Sequence, residues 1–154
     1  MKLSEKIRSG AKLAPQFFGG LGDGSNGTCA IGAALHAVGE LLACQGPMRQ
    51  KSCYDVFPVL WVRAGCPCDC ENPKRIHSGR EVNTMGEAIA HLNDNHRWSR
   101  EAIAEWVETI ENKLDAEAAS KLASERKTES TTRATSDEVS TRQIELVLLS
   151  SRLD

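Results

Sequence analysis

Between Ser99 and Leu114 the large apolar residues fall at Ile103, Trp106, Val107 and Ile110, one stripe of a helix with charge on the other faces. That 3.6-residue period recurs through the chain, and it constrains the fold more than any other feature. Ile31, Leu35, Val38 and Leu42 repeat it over Cys29–Cys44, with Thr28 as N-cap and Gly46-Pro47 as the stop. Met85, Ile89 and Leu92 repeat it again. There, Thr84 and Glu87 have the spacing of a capping box, and Asn93, Asp94 and Asn95 break the helix. A short helix over 4–13 carries Leu3, Ile7 and Leu13, with Ser4 as its cap. At the last helix Ser99 is the N-cap, and Trp98 and Ile103 stand where a hydrophobic staple would close. The expected fold is therefore mainly α: a compact bundle of about four short helices around these aliphatic residues.

The intervening stretches are polar or irregular. Residues 15–27, PQFFGGLGDGSNG, hold five glycines and read as a loop. Their spacing fits neither the Walker pattern nor the dinucleotide fingerprint, so a phosphate cradle is the weaker reading. Residues 52–62, SCYDVFPVLWV, carry Pro58 among strand-favouring residues and suggest an irregular turn with an extended end. Residues 64–83 form a cysteine-rich connection. After Leu114 the chain turns small and polar. Residues 115–142 read as a solvated, partly helical or disordered tail, and 144–153 as an apolar terminal segment that docks or binds a partner. The organisation expected is a helical domain over 1–114 and a mobile tail over 115–154.

Composition narrows the function. With 154 residues and a formal charge of −2, the chain has no basic excess to neutralise a phosphate backbone. Residues 85–110 suggest a helix-turn-helix but lack its short glycine turn and basic face, leaving a DNA-associated regulator as the weakest reading. No run approaches the ~18 apolar residues that span a bilayer, and MKLSEKIRSGAKL is charged where a signal peptide is apolar. A cytoplasmic protein with six reduced cysteines is expected, with an unidentified protein as partner and no membrane.

Two groups of residues could carry chemistry. GCPCDC places Cys66, Cys68 and Cys70 close together, with Cys53 upstream and His77 downstream. Thiolates and imidazole are zinc ligands, and a long polar loop that cannot fold on burial alone would gain its order from the metal. One four-ligand set is Cys53, Cys66, Cys70 and His77, with Cys68 spare; the bland reading is a surface loop of reduced thiols. The second group centres on Cys29 at a helix start, where the dipole favours a thiolate. As a nucleophile it would need His91 or His96 as base and Asp94 or Asn93 as orienter. His36 shares its face but lies about 10 Å away along the axis. Against this, Gly32, Ala33, Ala34, Ala37 and Gly39 make the helix small-sided, and cysteine is often buried as a small hydrophobe. The structural reading of Cys29 is preferred, as is a plain helix connection for HLNDNHRW.

MKLSEKIRSGAKL, CAIGAAL and HLNDNHRWSREAIAEWVE, in that order, resemble a set of small bacterial and phage proteins. These share a Cys-x-x-Gly-Ala helix, a variable cysteine-bearing middle and a Leu-Asn-Asp…Trp…helix ending. The resemblance covers about residues 1–110 and draws attention to Cys29, Gly32, Asn93, Asp94 and Trp98 without implying a chemical role. The middle departs from the group's Cys-Pro-x-Cys pair. The reading that results is a small non-enzymatic interaction or accessory protein of phage or mobile-element origin, its loop stabilised by zinc. The alternative is a cysteine-dependent hydrolase built on Cys29.

Overall fold

A computed structural model describes residues 1–44, 51–71 and 81–150, with side chains up to 126. Among these residues the protein is helical, with five α-helices and no strand: α1 Leu3–Ala11, α2 Ala30–Ala37, α3 Cys53–Val56, α4 Met85–Asp94 and α5 Arg100–Ser150. Single 3-10 turns lie at Leu42–Cys44 and Pro58–Trp61. No helix of the described residues is long and apolar enough to cross a membrane. The chain divides into two units, Met1–Asn112 and Lys113–Asp154, the boundary falling inside α5.

The first unit holds the core. Leu3 and Ile7 of α1, Leu35 of α2, Leu60, Met85, Ile89 and Leu92 around α4, and Ile103 and Val107 of α5 are all fully buried. Val38, Trp98, Trp106 and Ile110 pack against that core from its edge. The small residues of α2 serve close approach. A Cβ on Gly32 would overlap the carbonyl of Leu21, and one on Gly10 would overlap the carbonyl of Ala33, so α1 and α2 meet nearly backbone to backbone. The Thr84–Glu87 capping box is present at α4, and the Ser99 hydroxyl accepts the Ala102 amide at 3.1 Å.

Several local expectations need correction. Helix α2 ends at Ala37 rather than Cys44, because Gly39 takes φ +75°, a left-handed value that stops the helix. Leu42 is consequently 77% exposed and Leu41 enters the core instead. Cys29, not Thr28, caps α2. Ser4 lies inside α1 rather than at its cap. The buried Glu111 side chain does the capping from α5, accepting the Leu3 amide at 2.6 Å and the Ser4 hydroxyl. Residues 52–62 are helical turns rather than extended, opened by a Ser52–Asp55 capping box. Asn93 and Asp94 continue α4 instead of breaking it.

In the second unit the polar segment is helical to Ser150. Of the two states composition allowed there, helix follows from a run with no glycine or proline between Arg100 and Ser150. Lys113 and Glu117 form an exposed i,i+4 pair at 3.9 Å. The 144–153 segment is helical as far as Ser150, its side chains outside those described.

Candidate metal centre

The cysteine-rich segment reaches α4 through backbone pairing. Arg63 bridges Thr84, and the Met85 amide donates to the Val62 carbonyl at 2.8 Å. This lays residues 62–70 along the start of α4. At the other end of α4 the chain folds back sharply. Arg97 adopts φ +52°, and the Trp98 amide donates to the Leu92 carbonyl at 3.1 Å. That turn brings the exposed His96 ring onto the buried His91 ring, with centroids 4.8 Å apart and planes near perpendicular at 68°.

The two histidines and two cysteines converge. His91 Nε2 and His96 Nε2 are 3.1 Å apart, and His96 Nε2 lies 3.3 Å from Cys70 Sγ. With Cys68, the four ligating atoms all lie within 4.8 Å of one another, a group that could hold a metal ion. A tetrahedral zinc separates two imidazole nitrogens by about 3.3 Å and a nitrogen from a thiolate by about 3.5 Å. The observed spacings match a shared ion.

The thiols differ in electrostatics. Burial pushes Cys68 up, but hydrogen bonds from Cys66 and Cys70 outweigh it and lower its pKa, toward the thiolate that binds metal. Cys66, whose Sγ is 3.2 Å from that of Cys68, is raised by burial, and Cys70 by its hydrogen bond to Cys68.

Of the ligands expected from sequence, the structure brings Cys68 and Cys70 into the group and leaves Cys66 beside it. Cys53 lies elsewhere, at the start of α3, where it lines a cavity with Cys29, Cys44 and Asp94. His77 lies outside the described residues. Cys68, set aside as spare, is a member; His91 and His96, considered as bases for Cys29, are the other two. The missed signal was spacing. Cys-x-Cys, twenty residues, then His-x4-His falls within the His-x3–5-His separation that zinc sites use.

Cys29 itself is 7% exposed, and its sulfur accepts the Gly32 amide at 3.3 Å as the cap of α2. Burial pushes its thiol up to about 11, with the Asp94 carboxylate adding in the same direction against the Gly32 and Ile31 amides. Asp94 Oδ1 accepts the Gly19 amide at 2.9 Å and Asn93 Nδ2 at 2.7 Å. Asn93, fully buried, also donates to the Phe17 carbonyl and accepts from Gln16 Nε2, both at 3.0 Å. The Leu-Asn-Asp stretch thus holds the glycine loop in place. Arg100, not singled out in the sequence, anchors the same loop. It is 8% exposed and donates to the carbonyls of Ala11, Ala14, Pro15 and Thr28 and to the Thr28 hydroxyl. His36 Nδ1 is buried with no hydrogen-bond partner.

No known family model matches the chain, and no curated protein or solved structure is significantly similar to it.

Proposed function

We propose that the protein is a small, non-enzymatic accessory protein whose cysteine-rich segment is fastened by a structural zinc ion on Cys68, Cys70, His91 and His96. The observation that carries this reading is the convergence of four ligating atoms from two segments of chain. Two thiolates and two imidazoles fill a tetrahedral shell and leave no position for water or substrate, which is the pattern of a structural rather than a catalytic site. The segment they would fasten has little apolar content of its own, so metal binding would supply folding free energy there. The role in partner binding rests on exposed apolar side chains of the first unit, Trp61 at 64% and Leu42 at 77%.

The test is elemental analysis of protein purified without added metal, followed by melting in chelator. One zinc per chain, lost together with stability in chelator and in His91→Ala, supports the site. A zinc content near zero, with melting indifferent to chelator, sinks it.

A further inference from the structure

A second feature lies apart from the metal ligands. A cavity of about 360 Å³ opens between the start of α2, α3 and one face of α4. That is room for about twelve waters at liquid density, in the size range of small-ligand pockets and well beyond a packing defect. Helix α4 leaves the space open because Gly86 and Ala90, one turn apart, present almost no side chain to it. Tyr54 stands close by Gly86, where a Cβ would lie 2.7 Å from the phenolic oxygen.

The lining is mostly apolar, with the thiols of Cys29, Cys44 and Cys53 spread among Leu21, Ile31 and the Tyr54 ring. Thiols are polarisable and pack well on aromatic edges. They do not converge on a point, since the only convergent metal-ligating set among the described residues is the one at Cys68. A metal ion is therefore the wrong occupant.

Asp94 is the one acidic or basic side chain of the lining besides these thiols and the phenol. One turn beyond Ala90, it is preorganised: the Gly19 amide and Asn93 Nδ2 both hold Oδ1. Among the described residues Oδ2 has no hydrogen-bond partner. No lysine or arginine lines the cavity to neutralise the carboxylate. An anion would meet Asp94 with no compensating charge, and the nearest helix-start amide, that of Gly32, is already occupied by Cys29.

We propose that this cavity binds a small organic cation: a compact aromatic or aliphatic body carrying one ammonium group. The ammonium sits on Asp94 Oδ2, and the body lies against Ile31, the Tyr54 ring and the thiols. Asp94 supplies orientation and charge selectivity, while the apolar wall supplies most of the affinity.

The experiment titrates benzylammonium into the full-length, metal-replete protein and follows backbone amide shifts. Benzyl alcohol serves as the neutral counterpart. Two variants act independently: Asp94→Asn keeps an oxygen for the Gly19 amide but removes the charge, and Ala90→Leu fills the cavity without touching Asp94. Benzylammonium is expected to move the Gly19, Gly20 and Gly86 amides. Binding should weaken at least about tenfold for benzyl alcohol and for Asp94→Asn, and vanish in Ala90→Leu. No shift up to roughly 10 mM ligand, equal binding of the alcohol, or undiminished binding by Ala90→Leu overturns the proposal. Should one variant fail to fold, the other and the alcohol still decide.

Discussion

Gly10 of α1 lies directly beneath the Ala33 carbonyl of α2, so close that a single methyl group on Gly10 would overlap that oxygen. Gly32 stands in the same relation to the Leu21 carbonyl. In both cases the obstacle is backbone, which cannot swing aside as a flexible side chain can. Gly10→Ala and Gly32→Ala should each cost about 3 kcal/mol or more, since the helix or loop must move bodily. The check is urea unfolding. Gly65→Ala, where no atom lies within 4 Å of the added carbon, is the control and should change stability by under about 1 kcal/mol.

Metal content should track the four ligands and not the other cysteines. His91→Ala and Cys70→Ser should each lose stoichiometric zinc, while Cys53→Ser, whose thiol lies in the cavity wall, should keep it. At free zinc 100-fold above Kd the ion contributes about 2.7 kcal/mol to unfolding free energy, and this should disappear in chelator. Elemental analysis and thermal melting together read both effects.

The Cys29 thiol should be inert near neutral pH and should make stability fall in alkali. Burial holds it protonated in the folded state, up to about 11, whereas in the unfolded chain it ionises near 9. A thiol raised on folding contributes its full stabilisation below the unfolded value and loses it as pH rises through the folded one. The expected loss is about 2–3 kcal/mol between pH 9 and 11. Cys29→Ala should flatten that portion of the pH profile, at a cost of ~1 kcal/mol for the lost helix cap. Rapid alkylation of Cys29 in the native protein at pH 7 would contradict the assignment.

Arg100 joins the end of α1 to the glycine loop through five acceptors on four residues. Its aliphatic replacement leaves buried carbonyls without a donor, so Arg100→Met should cost about 3 kcal/mol. Arg100→Lys should recover only part of this, because one ammonium cannot span the positions that the planar guanidinium reaches. Amide exchange in residues 15–28 should accelerate in both variants.

Glu111 caps α1 from the opposite end of the sequence, and its charge strengthens the bonds to the Leu3 amide and Ser4 hydroxyl. Glu111→Gln keeps the shape and loses the charge, with an expected cost of about 1–2 kcal/mol. Helical circular dichroism and chemical denaturation would show whether the loss falls on α1.

The parts of this structure that were legible in the sequence are those fixed by neighbours along the chain. The Thr84–Glu87 box and the Ser99 cap each need only three or four residues. The helical stripes of Ile89 and Leu92, and of Ile103 and Val107, point inward as their period requires. The small faces around Gly32 and Ala33 also announced a close contact, although not with what. The illegible parts depend on encounters between distant segments or on one backbone angle. The α2 boundary turns on Gly39 taking a positive φ. The histidine pair depends on the left-handed turn at Arg97, which folds His96 back onto α4. Glu111 and Arg100 looked like ordinary charges of an amphipathic helix because their partners lie some ninety to a hundred residues away.

The segment after Cys70 is secured at both ends by contacts it does not itself make: Cys70 against His96 on one side, Thr84 against Arg63 on the other. Closure entropy grows only logarithmically with length, so doubling the stretch between those anchorages would cost about 0.6 kcal/mol. This interval can therefore be lengthened, shortened or rewritten with little penalty to the helices, and a graft inserted there would leave the rest of the molecule undisturbed.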